Sequence, residues 1–174
     1  MAWTVFIDGK EGTTGLRIFD RLAERGEFSL LTLPEEKRKD ADARREAIHA
    51  ADIAILCLPD AAARESVALA EGSNTRILDT STAHRVAPGW AYGFPELSKK
   101  HRDAVASGQY VAVPGCHASG FIALAAPLVA AGLIPADTLL SCFSLTGYSG
   151  GGKKMIAQYL SLIHISEPTR RTPI

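Results

Sequence analysis

Short apolar runs alternate with amphipathic stretches along most of the chain, and this alternation constrains the fold more than any other feature. Thr4 to Ile7 is an apolar, β-rich run that ends at Asp8-Gly9. Leu16 to Arg25 reads as an amphipathic helix, with Leu16, Phe19, Leu22 and Ala23 on one side. Phe28 to Leu33 reads as a strand stopped by Pro34, and Asp42 to Ala50 as a weak helix after the charged turn Glu35 to Lys39. A buried strand is expected over Asp52 to Leu58, then a helix over Ala61 to Glu71 with Asp60 as N-cap and Gly72 as the stop. Arg76 to Asp79 and Tyr110 to Val113 read as further strands, and Ala118 to Ala131 as a strongly apolar helix closed by Gly132. Repeated strand–helix–strand units imply a parallel sheet, so the expected class is α/β with a Rossmann-type sheet. Ligands of such sheets sit beyond the carboxyl ends of the strands, where the motifs below fall.

A chain of 174 residues accommodates one dinucleotide-binding domain and little more. Residues 1–115 are expected to form that domain, and residues 116–160 to begin an α+β substrate domain that is left incomplete. Residues 161–174 lose all periodicity and carry Pro168 and Pro173, as a foreign, frame-shifted or disordered end would. Nineteen basic residues balance nineteen acidic ones, which points away from nucleic acid and anionic membranes. No apolar run approaches the roughly 20 residues of a membrane span. The N-terminus lacks the basic lead and small-residue cleavage site of a signal peptide. Cys57, Cys116 and Cys142 are odd in number and far apart, which disfavours a disulfide framework or a zinc site. A reduced, cytoplasmic, metal-free protein is expected.

Gly9-Lys10-Glu11-Gly12-Thr13-Thr14-Gly15 spaces its glycines G-x-x-G-x-x-G directly between the first strand and the first helix. Such a turn supplies positive φ, close backbone approach to a phosphate and tight helix–strand packing. The helix that follows Gly15 presents free N–H groups to an anion. Glycines alone are weak signals, but their position in the first βαβ unit favours dinucleotide binding over a purely structural turn. After the second strand come Glu35 and Glu36, then Lys37, Arg38 and Lys39. An acidic residue there grips a ribose 2′-hydroxyl and basic residues accept a 2′-phosphate, so the three cations lean toward NADP. A solvated charged turn accounts for any one of them almost as well.

Val113-Pro114-Gly115-Cys116-His117-Ala118-Ser119-Gly120 places a cysteine between a strand and an apolar helix. A helix start favours the thiolate, which is the nucleophilic form. Cys57 within its strand and Cys142 within the apolar stretch Leu139 to Leu145 read instead as small buried hydrophobes. His117 diverges from its neighbour at a helix start and reads as structural or substrate-facing. A rival motif, Gly147-Tyr148-Ser149-Gly150-Gly151, matches the G-x-S-x-G nucleophile elbow of serine hydrolases and precedes a possible helix, Lys153 to Leu160. That fold needs an acid and a histidine downstream, and only Glu167 and His164 remain. A glycine-rich loop facing a phosphate or carboxylate, with Lys153 and Lys154 beside it, is the preferred reading.

Six motifs in order resemble those of the N-acetyl-gamma-glutamyl-phosphate reductases, in their shorter bacterial form. They are Asp8 to Leu16, Cys57 to Asp60, Asp79 to Arg85, Tyr92 to Leu97, Pro114-Gly115-Cys116 and Gly147 to Ile156. That family is related to aspartate-semialdehyde dehydrogenase, which keeps the same nucleophile chemistry and is the nearest alternative. The resemblance covers roughly residues 1–160 and implies the reductive step of arginine biosynthesis. The cysteine attacks N-acetylglutamyl phosphate, phosphate leaves, and hydride from NADPH converts the thioester to the semialdehyde. It implies Cys116 as nucleophile and Gly9, Gly12, Thr13, Thr14 and Gly15 as the cofactor loop. Ser81 and Thr82 fall near the nicotinamide, Ser149, Gly150 and Gly151 on the far side of the site, and Arg85 against an anionic group of the substrate. A homo-oligomer is expected at full length.

Two departures matter. Val113 stands where the family usually has asparagine, and the family's acid–base histidine lies in the substrate domain beyond residue 160. None of His49, His84, His101, His117 or His164 has the matching context, so this chain is expected to be an inactive fragment. A nucleotide-binding module without catalysis is the second reading, and a serine hydrolase the third. A fluorophosphonate separates the last of these: Ser149 is expected to stay unlabelled, and its labelling would restore the hydrolase.

Overall fold

The computed structural model describes residues 2–9, 13–145, 156–158 and 160. The first compact unit ends at Cys142 and contains the whole sheet. Of the second unit, Phe143–Ile174, the described residues include a short helical piece at 156–158.

Six strands form one sheet in the order β2-β1-β3-β4-β6-β5, and every pairing is parallel. They are β1 (Trp3–Asp8), β2 (Phe28–Leu31), β3 (Ile53–Leu56), β4 (Arg76–Asp79), β5 (Ala91–Tyr92) and β6 (Tyr110–Ala112). Among the described residues five α-helices connect and flank them: α1 (Thr13–Ala23), α2 (Ala41–Ala50), α3 (Asp60–Leu69), α4 (Lys99–Ser107) and α5 (Cys116–Ala130). The α/β reading therefore holds, with β5 and α4 added between the strands expected at Arg76 and Tyr110. β5 has two residues and α4 a polar sequence, so neither carries an apolar period to read.

The strands read as continuous apolar runs because both faces of the sheet are covered. Phe6, Ala54, Leu56 and Ile77 pack on one face against Ala47, Ile48 and Leu69 of α2 and α3. Val5, Ile7 and Ile55 pack on the other, against Ile18, Phe19 and Leu22 of α1. Period-two alternation then places Asp8 on the face of Phe6, beneath α2 and α3. There the Arg44 guanidinium donates to Asp8 Oδ2 from Nη2 at 3.0 Å and from Nε at 3.2 Å. Ser66 of α3 donates its hydroxyl to the same oxygen at 2.8 Å, and Arg44 reaches Glu65 at 3.1 Å.

Register lines up the carboxyl edge. Asp8 pairs with Leu56, Leu56 with Asp79, and Asp79 with Ala112, so β1, β3, β4 and β6 all end on one row. The chain steps from β1 to β2 on one side and then crosses back to β3 on the other side of β1, which makes the β1/β3 edge a topological switch point.

Beyond β6 the fit to the sequence reading loosens. α5 is apolar all round, yet none of its residues is buried, and Leu124 is 76% exposed. The apolar stretch Leu139 to Leu145 forms no strand, and Cys142 is not the buried hydrophobe expected: Leu139 is 99% exposed and Cys142 is exposed as well. An apolar strand is buried only when a neighbouring strand and a covering layer exist, and this segment joins no strand of the sheet. Among the described residues no helix is long and apolar enough to cross a membrane.

The Asp8–Arg44 pair has both side chains almost fully buried. Arg44→Ala would strand the carboxylate and is expected to cost about 3–5 kcal/mol in urea unfolding. Asp8→Leu/Arg44→Met, which removes both charges, is expected to recover most of that loss. A parental midpoint for Arg44→Ala would remove the pair from the account of stability.

Candidate active site

Four loops leave the carboxyl edge side by side. The first begins at Gly9, whose φ of 85° lies in the left-handed region. A Cβ there would collide with the Cys57 carbonyl, so the residue must be glycine for steric as well as torsional reasons. Gly12 lies outside the described residues. α1 opens at Thr13 rather than after Gly15, so Thr13 and Thr14 are its first two residues and Gly15 is buried within its first turn. The unpaired N–H groups of the α1 start therefore lie three residues earlier than the glycine spacing suggests.

The second loop leaves β3. The strand ends at Leu56, leaving Cys57 just outside it and half-buried. Burial pushes its thiol up to about 11, with Asp8 and Asp79 adding to the effect and a hydrogen bond with Thr80 opposing it. Asp60 is the first residue of α3 and does not cap it; Pro59 holds the N-cap position without a side-chain bond. The Asp60 carboxylate instead reaches across to the third loop, accepting from Thr82 Oγ1 at 2.6 Å and Thr82 N at 3.0 Å. The Thr82 hydroxyl holds its carboxyl below the ordinary range.

That third loop, after β4, is the most heavily tied. Asp79 is fully buried and accepts from Ser81 N at 2.9 Å and from Ser81 Oγ at 2.7 Å. His84 Nδ1 lies 2.6 Å from Asp79 Oδ2. The His84 ring stacks on Trp90 with centroids 4.2 Å apart and planes 8° from parallel. Ser81 Oγ also accepts from Ala83 N, so the hydroxyl donates inward and shapes its own loop. Arg85, next in sequence, donates from Nε to the Val113 carbonyl at 3.2 Å and from Nη2 to the Thr80 carbonyl at 3.3 Å.

The fourth loop leaves β6 and carries the cysteine. Gly115 is the N-cap of α5 and Cys116 its first residue, exposed at the helix start where unpaired N–H groups favour an anion. A Cβ on Gly115 would come within 2.8 Å of Arg85 Nη1, so the guanidinium lies directly against this turn. Thus the structure brings together Gly9 with Cys57, Thr82 with Asp60, and Arg85 with the turn before Cys116. Ser149, Gly150 and Gly151, and the elbow they belong to, lie outside the described residues. So do Lys153, Lys154 and the tail.

Sequence reasoning placed Asp60, Asp79 and His84 within motifs at this edge but gave none of them a part in holding it. The available signal was parity: Asp79 shares a strand face with Ile77 as Asp8 does with Phe6, so both had to be buried and paired.

The edge fits a dinucleotide. A forced glycine follows β1 at the switch point, α1 opens shortly after it, and an exposed thiol lies on the same edge. Comparison with known proteins agrees. The model of the semialdehyde dehydrogenase NAD binding domain matches residues 4–105. The chain is 57% identical to an N-acetyl-gamma-glutamyl-phosphate reductase of Chelativorans sp. over 159 residues, 91% of this chain and 51% of that one. It is also 57% identical to the protein of the same name from Brucella anthropi over 155 residues, covering 88% of this chain and 50% of that one. The chain therefore spans about half the length of the curated relatives it matches. Among solved structures, an aspartate semialdehyde dehydrogenase from Francisella tularensis aligns with a TM-score of 0.70 at 16% identity. It covers 99% of this chain and 52% of that one. One from Vibrio cholerae aligns with a TM-score of 0.68 at 15% identity, covering 100% of this chain and 55% of that one. These structures share the fold.

The three thiols are expected to separate on alkylation. Iodoacetamide near pH 8 should label Cys116 and Cys142 and spare Cys57, whose labelling rises only as pH approaches about 11. In the unfolded chain the Cys57 thiol ionises nearer 9.0, so stability it contributes is intact below that value and lost as pH rises toward 11. Cys57→Ser should remove this part of the alkaline destabilisation. Equal labelling of all three thiols at pH 8 would contradict the burial of Cys57.

Proposed function

The chain belongs to the semialdehyde dehydrogenase NAD binding domain family, and we propose that it supplies the cofactor domain and nucleophile of an NADPH-dependent N-acetyl-gamma-glutamyl-phosphate reductase. The observation that carries this reading is the exposed Cys116 thiol at the α5 start, on the same edge as the glycine turn of β1. Identity of 57% to reductases of that name supports the choice of acyl phosphate. Residues 1–115 then bind the dinucleotide and residues 116–160 begin the substrate domain.

Cys116 Sγ attacks the acyl carbon; the S–C bond forms, the C–O bond to phosphate breaks, and phosphate departs. Cys116 is the first residue of α5, so its Sγ lies at a helix start whose free N–H groups suit an anion. When bound, the reduced nicotinamide supplies the hydride that converts the acyl thioester to the aldehyde. The start of α1 beyond Gly9 would hold the pyrophosphate, and the loop of Ser81 and Thr82 would border the nicotinamide. Arg85 places a permanent cation against the turn of Cys116, suited to the anionic phosphate of the substrate. Lys37, Arg38 and Lys39 follow β2, where a ribose 2′-phosphate would sit, and Arg38 is partly engaged by Glu35 at 3.2 Å.

Three measurements test the reading. Iodoacetamide should modify Cys116, and the acyl phosphate should protect it; an unreactive Cys116 in a chain that binds NADPH would leave a nucleotide-binding module. Lys37→Glu/Arg38→Glu should reduce the preference for NADPH over NADH by about tenfold, the scale of one lost charged contact. The 174-residue chain alone should oxidise NADPH at least about 10²-fold more slowly than the full-length relatives, of whose length it spans about half. Turnover at their rate would contradict that expectation.

A further inference from the structure

We propose that His84 is a positioning residue of this site: its bond to the buried Asp79 locks the loop that carries Ser81, Thr82 and Arg85 along the carboxyl edge. The inference rests on the reading above for what the loop serves, and on geometry alone for the lock itself.

Asp79 is fully buried, so its carboxylate must be satisfied from within. Oδ1 accepts from Ser81 N and Oδ2 from Ser81 Oγ. With the carboxylate already acting as acceptor at both oxygens, the proton between it and His84 belongs to Nδ1, which donates across 2.6 Å. His84 is itself buried and its ring is fixed by the near-parallel stack on Trp90. Trp90 in turn packs against the core and lies tilted on Tyr110 of β6. The ring is therefore held from behind by the core while its Nδ1 holds the loop from within.

The consequence runs outward in both directions along the chain. On the N-terminal side, Ser81 Oγ accepts from Ala83 N and Thr82 is pinned to Asp60, so residues 81–83 are constrained at backbone level. On the C-terminal side, fixing His84 fixes the Cα of Arg85, whose guanidinium bridges the Thr80 and Val113 carbonyls and meets Gly115. One buried acceptor thus sets the place of the cation beside the Cys116 turn. Asp79 also ties to β6 through its carbonyl, which accepts from Val113 N at 2.8 Å.

Two variants separate the hydrogen bond from the stack. His84→Phe keeps an aromatic ring against Trp90 and loses the donor, whereas His84→Asn keeps a donor near the Nδ1 position and loses the ring. His84→Phe is expected to speed amide exchange at Ser81 and Ala83 and to weaken NADPH binding, each by about tenfold, the size of one charge-assisted hydrogen bond. Protection of Val5, Ile55 and Ile77 should not change. His84→Asn should bring both readouts back to within about threefold of the parent, less than half the binding energy of that bond. Parental exchange and affinity in His84→Phe would overturn the proposal, as would a His84→Asn variant as impaired as His84→Phe. His84→Leu, which loses the donor without adding a second ring against Trp90, asks the same question if His84→Phe does not fold, with the same expected loss at Ala83. Failure of the parent to bind NADPH would sink the cofactor reading, while amide exchange would still decide the lock.

Discussion

Two carboxyl groups, those of Asp8 and Asp79, end their strands inside the molecule, and burying either without partners would cost more than the fold has to spare. Their partners decide much of the architecture around them. Arg44 and Ser66 tie the end of β1 to α2 and α3. Ser81 and His84 tie the end of β4 to the loop that follows it. Because Asp8 and Asp79 share one row of the sheet with Leu56 and Ala112, these ties stiffen the edge where the four loops emerge.

The exposed groups of the site depend on that stiff edge. Cys116 gains its setting from a helix start, but a helix start is useful only if its direction is fixed. Gly115 lies against the Arg85 guanidinium, which a side chain there would have to displace, and Arg85 is itself anchored to carbonyls of two neighbouring strands' ends. Asp60 adds a second cross-tie between the β3 and β4 loops through Thr82. The loops of this edge are thus held in place largely by buried polar side chains.

How much of this was legible in the sequence varied by element. All the strands but β5 were, because apolar runs covered on both faces leave a continuous signal, whereas β5 has only two residues. The glycine turn was legible in position but not in register, since α1 opens at Thr13 and takes Gly15 into its first turn. Asp60 has the residue type of an N-cap and is used as a cross-strand acceptor, which composition cannot distinguish. The apolar stretch around Cys142 carries a strand's composition without a strand's neighbours, and lies exposed. His84 had no motif of its own in the reading of the residues, because its partner Asp79 acts from beneath.

The sequence by itself determined the class of sheet, the edge on which its motifs fall and the placing of a cysteine between the last strand and the helix that follows. These follow from local periodicity and from the turn chemistry of glycine and proline, which act over a few residues. Only the tertiary structure decided which polar groups meet: Asp8 with Arg44 across 36 positions, Thr82 with Asp60 across 22, and Arg85 with Val113 across 28. The physical reason is that a buried charge or hydroxyl takes whatever partner the packed sheet brings within about 3 Å, and sheet order places distant segments side by side.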